Sequence, residues 1–114
     1  MFIQTKRILS VLAFTTIAAM GFAGCGADLG ECPSDADSSG QKQAGNDVVK
    51  NTCATTGCHN SPNPAEGLDF SAESVVKAHA LEMYTEADEG AMPPAGKLSD
   101  TDLEALRVYL ACTQ

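Results

Sequence analysis

The sequence predicts a small all-α domain in residues 45–114, preceded by a signal peptide in residues 1–24 and a disordered tether in residues 25–44. Two stretches, after Ser71 and after Ser99, repeat apolar residues at the spacing of a helix with one buried face. No stretch alternates apolar and polar residues as a half-buried strand does, and no internal repeat is visible. A domain of this size has a small core, so it gains much from a covalent cross-link or a large apolar cofactor.

The first 24 residues have the features of a secretory signal. Lys6 and Arg7 precede a mostly apolar run that ends in small residues before Cys25. The run is interrupted by polar residues and is shorter than the about 20 apolar residues that a membrane-spanning helix needs, which favours cleavage over an uncleaved anchor. Residues 22–25 (Phe-Ala-Gly-Cys) resemble a bacterial lipobox, with Phe22 replacing the usual aliphatic residue. The resemblance implies that Cys25 becomes the lipid-modified first residue of an extracytoplasmic protein; an ordinary cleaved signal is the alternative.

Cleavage of the signal would leave five basic residues against fifteen acidic ones, a net charge of −10. Such a charge repels phosphate backbones, so nucleic acid is not expected as a partner. It favours a protein partner with a basic docking patch, although an acidic surface also simply keeps a protein soluble.

The tether is rich in Ser, Asp, Gln and Gly and has few apolar groups to bury, which predicts a flexible segment. Asn46 is expected to cap a first helix over residues 47–54. Residues 60–67 contain two prolines and are predicted to be irregular.

Two further helices follow in the sequence. Ser71 is expected to cap the second helix, which carries a broad apolar face to about Tyr84. Ser99 and Asp102 form a capping pair for the last helix, with Asp in place of the usual Glu or Gln. The apolar face of this last helix contains four residues: Leu103, Leu106, Tyr109 and Leu110.

The stretch from Cys53 to His59 contains the residue types that hold a haem covalently. Each thiol can form a thioether with a haem vinyl group, and the imidazole of His59 can bind the iron. The usual motif is C-x-x-C-H, whereas four residues separate Cys53 from Cys58 here. Cysteines five apart lie about 140° apart around a regular helix, so this segment must bulge. Gly57 can adopt the left-handed conformation that such a bulge requires.

A loop with two prolines follows Met92 and would fix a methionine thioether, a soft ligand suited to haem iron. Together the Cys-His site, the Met-Pro-Pro loop and the last helix resemble a class I cytochrome c over residues 45–112. Gly45 and Val49 lie eight and four residues before the first cysteine, where that family commonly has a glycine and an aromatic residue; valine is a departure.

The resemblance implies one covalent haem c, with thioethers at Cys53 and Cys58, His59 as the proximal iron ligand and Met92 as the distal one. It implies one-electron transfer to protein partners rather than an enzymatic reaction on a small-molecule substrate. Met83 and His79 are rival distal ligands, and both lie on the predicted second helix.

The cysteines allow alternative interpretations. Cys53 and Cys58 can close a disulfide loop, or can join His59 and another residue in a zinc site. If they hold a haem and Cys25 carries lipid, Cys32 and Cys112 remain as a disulfide pair. Without haem, the same four cysteines allow three disulfide sets. The alternative function is then a haem-free, disulfide-stapled envelope lipoprotein that acts as a binding module.

Overall fold

Four α-helices make up most of the regular structure. The structure is a computed structural model and describes residues 27–114. The predicted signal peptide and the predicted lipidation site at Cys25 lie outside the described residues. The helices are α1 (Gln41–Val48), α2 (Glu73–Ala78), α3 (Ala80–Asp88) and α4 (Asp100–Cys112), with a π-helical turn at Val49–Cys53 and a 3₁₀ turn at Ala65–Gly67. No β-strand occurs in residues 27–114, so the prediction of an all-α class is confirmed at this level.

Helix α4 is the central element of the core. Its N-terminal cap is Ser99, as predicted: the Ser99 hydroxyl accepts a hydrogen bond from the Asp102 amide at 3.1 Å and donates one to the Asp102 carboxylate at 2.9 Å. Leu106, Val108 and Leu110 are completely buried. Burying these side chains supplies much of the hydrophobic stabilisation of so small a domain. The core also includes residues of every other helix, among them Val48, Val49, Val76, Ala80, Met83 and Ala87.

Helix α1 packs mainly against α4, and the two cross at Gly45. A Cβ atom on Gly45 would lie 2.1 Å from the Ala105 carbonyl oxygen and 2.5 Å from the Tyr109 Cβ. Only glycine allows the two backbones to come this close.

The N-terminal part of the described chain differs from the predicted disordered tether. Residues 34–39 form turns, and Leu29 packs in the hydrophobic core. The Arg107 guanidinium donates a hydrogen bond to the Leu29 carbonyl and also pairs with Glu104 at 2.7 Å. A disulfide joins Cys32 to Cys112 at the end of α4. These long-range contacts order a segment whose local composition is typical of a linker.

The first helix also differs from its predicted bounds. It begins at Gln41 rather than at residue 47, after Gly40 in the left-handed conformation at φ 75°, so residues 41–44 belong to the folded domain and not to the tether. Asn46 therefore lies inside α1 and does not cap it. The helix then widens at Val49–Cys53, where the Ala54 amide bonds to the Val49 carbonyl at 2.7 Å. A hydrogen bond between residues five apart in the sequence is the π-helical pattern.

The predicted second helix is two helices in the structure. The chain changes direction at His79, which has φ −114° and ψ 18° between α2 and α3. The change of direction accompanies the burial of Ala80, Met83 and Ala87 of α3. Ser71 does not cap α2, because its hydroxyl donates to Asp69 instead and Ala72 takes the cap position. Among residues 27–114, no helix is both long and apolar enough to cross a membrane.

Candidate cofactor site

A cavity of about 410 Å³ lies between the Cys53–His59 segment, α3 and the loop before α4. Its lining includes all four residues predicted to hold a haem: Cys53, Cys58, His59 and Met92. The rest is largely apolar, with Leu68, Phe70, Met83, Ala87, Pro93, Pro94 and Leu98 among the lining residues. Its volume lies within the range of small-molecule and cofactor sites.

A tight loop brings the two cysteines and the histidine to one wall of this cavity. Cys53 is the last residue of the π-helical turn, and the chain folds back so that the His59 amide bonds to the Cys53 carbonyl at 3.2 Å. The Cys58 amide bonds to the Thr55 carbonyl at 2.9 Å. Gly57 has φ 84°, the left-handed conformation expected from the spacing of the motif. The bulge thus compensates for the two extra residues between the cysteines.

The imidazole of His59 is held in one tautomer. Its Nδ1 lies 3.2 Å from the Leu68 carbonyl oxygen. A carbonyl only accepts, so Nδ1 must carry the proton and donate, and Nε2 keeps its lone pair in the neutral ring. The ring also lies against Phe70, with centroids 4.6 Å apart and planes tilted by 35°. A histidine held in this way is oriented to act as a metal ligand through Nε2.

Hydrogen bonds hold the two residues that follow the Leu68 carbonyl, Asp69 and Phe70. Asp69 accepts hydrogen bonds from the Ser61 hydroxyl at 2.6 Å and from the Ser71 amide at 3.0 Å. The bond from Ser61, followed by those from Ser71, lowers the pKa of the Asp69 carboxyl below its usual 3.8. The Phe70 amide bonds to the His59 carbonyl at 2.9 Å. These bonds set the position of the acceptor for His59.

Cys53 and Cys58 are free thiols in the structure and do not form the disulfide considered above. Burial, with a smaller effect of the neighbouring Cys58, raises the pKa of Cys53 to about 11. The Cys53 thiol therefore stays protonated at neutral pH, which lends no support to a thiolate site for zinc and slows spontaneous disulfide exchange.

Zinc gains no support from the side-chain clusters either. In residues 27–114, no group of three or more His, Cys, Asp or Glu side chains is placed to hold a metal ion. A haem does not require such a group, because the protein supplies only the axial ligands of its iron.

The rival distal ligands also reach this cavity. Met92 lies in the loop before α4, is 39% exposed and is fixed through its amide to the Glu86 carbonyl at 3.0 Å. Met83 is buried in the core on α3, with 6% exposure. His79 lies at the junction of α2 and α3 and pairs with Glu82 at 2.9 Å. All three line the cavity: Met92 from the loop before α4, Met83 from α3 and His79 from the junction of α2 and α3.

Sequence reasoning missed several residues of the site. The Leu68 carbonyl had no sequence signal, because every residue carries one. Phe70 could have been noticed as the one phenylalanine outside the predicted signal peptide. Three acidic residues also line the cavity and bring negative charge to it: Glu66, Glu82 and Glu86.

No protein-family model, characterised protein or solved structure shows significant similarity to this chain. Function is therefore inferred from the residues and geometry of the cavity.

Proposed function

We propose that this chain is an extracytoplasmic monohaem c-type cytochrome that transfers single electrons. One observation supports this most strongly. A largely apolar cavity collects two free thiols, a methionine and a histidine whose Nδ1 is bonded to a backbone carbonyl. The residues present fit a haem: apolar side chains for the porphyrin faces, two sulfurs for its vinyl groups and an imidazole nitrogen for its iron.

Each residue has a separate role in this proposal. Cys53 and Cys58 would hold the haem through their sulfurs, as thioethers to its two vinyl groups. His59 would bind the iron through Nε2, and its bond to Leu68 fixes the ring. Met92 would supply the second iron ligand from the protein. The bound haem supplies the ferric–ferrous couple, and the thioether ligand raises its potential.

The partner is proposed to be a redox protein with a basic docking patch. The mature chain would carry a net charge of −10, and acidic residues line the cavity where electrons would enter and leave. Complementary charge accelerates encounter and weakens with salt. The proposal involves no nucleic acid, no small-molecule substrate and no catalytic residue.

A lipid on Cys25 would hold this domain close to a bacterial membrane. The chain is already fixed in the core at Leu29, and the disulfide at Cys32 suits an oxidising compartment. The four residues from Cys25 to Leu29 reach at most about 14 Å. The domain would thus lie near the bilayer surface rather than at the end of a 20-residue tether. Gly26, rather than Asp, at the next position favours the outer membrane by resemblance to lipoprotein sorting signals.

A second candidate is the haem-free envelope lipoprotein that acts as a binding module. The Cys32–Cys112 disulfide is compatible with it, because a cross-link between residues 80 apart stabilises a small domain without a cofactor. The two candidates differ in covalent haem, which is directly measurable.

The deciding experiment is intact-mass spectrometry of protein made in cells that are competent for c-type cytochrome maturation. We expect the mass of one added haem and a sharp absorption band on reduction. The double variant Cys53→Ser, Cys58→Ser should lose the haem mass. The matched control Cys32→Ser, Cys112→Ser should keep it. An unmodified mass for the wild type, or haem retained in the first variant, would contradict the proposal and favour the binding module.

A further inference from the structure

The chain contains two histidines, and both line the same cavity. His59 belongs to the Cys-His segment on one wall. His79 comes from a different part of the chain, at the point where α2 ends and α3 begins. The second imidazole could compete for the iron of the proposed site, because an imidazole is a stronger ligand for ferric iron than a thioether.

The two imidazoles are anchored in the same way. The Nδ1 of His59 lies 3.2 Å from the Leu68 carbonyl, and the Nδ1 of His79 lies 2.9 Å from a Glu82 carboxylate oxygen. Since an ionised carboxylate only accepts, Nδ1 of His79 carries the proton and Nε2 is the atom left to bind a metal. A carboxylate on the far nitrogen is a common partner of metal-binding histidines, because it fixes the tautomer and strengthens the ligand.

Met92 is held less firmly than either histidine. Met92 is 39% exposed, about as much as the 36% of the His79 side chain, but the bond that fixes Met92 runs from its backbone amide to the Glu86 carbonyl rather than from the thioether. A methionine side chain is flexible and binds iron weakly compared with imidazole. The thioether can therefore leave the iron without unfolding the loop.

We infer that His79 is a second distal ligand, which binds the iron through Nε2 when Met92 leaves. This inference rests on the proposed function. The site then has two forms, one ligated by His59 and Met92 and one by His59 and His79. Replacing a thioether by an imidazole lowers the reduction potential, so exchange of these ligands would set how readily the protein gives up its electron. Glu82 is the positioning residue for His79.

The test uses the holoprotein with Met92→Leu, which removes the thioether and nearly conserves side-chain volume. We expect ferric Met92→Leu to remain low-spin, with the electron paramagnetic resonance signature of two imidazoles. The double variant Met92→Leu, His79→Gln should become high-spin. The control His79→Gln in the wild-type background should keep the near-infrared band of methionine ligation.

Added imidazole gives an independent measurement on the same proteins. If His79 occupies the iron in about nine molecules of ten, imidazole binds Met92→Leu about tenfold more weakly than it binds the double variant. Met92→Leu, Glu82→Gln should lie between the two, because the ring is then less strongly oriented. Equal affinities for the single and the double variant would contradict a role for His79.

The outcomes separate this inference from the proposed function. A high-spin Met92→Leu protein with haem attached, or a double variant that stays low-spin, would overturn the role of His79 and leave the cytochrome assignment intact. A wild-type protein with no haem in its mass spectrum would overturn both.

Discussion

The contact of α1 with α4 at Gly45 makes a quantitative prediction for Gly45→Ala. The added Cβ would lie 2.1 Å from the Ala105 carbonyl oxygen, whereas ordinary contact begins at 3.4 Å, so the helices must separate by about 1.3 Å. Overpacking costs about 1–3 kcal/mol, and the upper end applies because the obstacle is helix backbone that cannot rotate away. Alanine recovers about 1 kcal/mol of helix propensity. We therefore expect a net loss of about 2 kcal/mol.

The assay is thermal and urea unfolding followed by far-ultraviolet circular dichroism, with wild type and variant at the same haem content. For a domain of this size, the loss corresponds to a fall in Tm of about 8–16 °C. The matched control is Ala44→Gly at the neighbouring exposed position of α1, which changes propensity alone and should cost about 1 kcal/mol. A Gly45→Ala protein as stable as wild type, or more stable, would refute the close crossing.

Four further predictions follow from the same structure. Met92→Ala should abolish the near-infrared methionine band and lower the potential, while Met83→Ala should keep the band; the reverse result would make Met83 the ligand. The pKa of Asp69 is lowered by its two serine donors, so its stabilisation is complete above pH 3.8 and is lost as pH falls through the lowered pKa. The free energy of unfolding of Asp69→Asn, measured in urea at several pH values, should therefore fall less steeply at acid pH than that of the wild type. An equally steep fall would contradict this. Cys32→Ser opens a cross-link between residues 80 apart and should cost about 4.5 kcal/mol in urea unfolding, by the chain-entropy model; a loss below about 1 kcal/mol would mean that the segment is held without the disulfide. Cys25→Ser should move the protein from the membrane to the soluble fraction, and a variant that stays membrane-bound in high salt has another anchor.

Local signals in the sequence were enough for part of the site and part of the fold. The spacing of Cys53 and Cys58 required a bulge, and Gly57 adopts the left-handed conformation that makes one. Ser99 and Asp102 are close in sequence, and they cap α4 as predicted. In each case the residues that determine the local structure lie within a few positions of one another in the sequence. Residue spacing and backbone preferences were therefore enough to predict that structure.

Other features depended on contacts between distant residues. Residues 27–40 look like a linker, yet Leu29 enters the core and Cys32 bonds to Cys112. Ser71 has the chemistry of a helix cap, but its hydroxyl is taken by Asp69. A local sequence pattern cannot predict these contacts, because it does not show which distant residues become neighbours in the folded protein.

The sequence by itself determined that the domain is helical and predicted which side chains would bind a haem, because residue type and spacing carry both. Only the tertiary structure decided that Cys53, Cys58, His59 and Met92 line one cavity. It also placed the Leu68 carbonyl against His59 and turned α3 at His79. The physical reason is that a cavity lies between elements, so its shape and hydrogen bonds depend on how the α1–α4 pair, the Cys-His loop and α3 pack together.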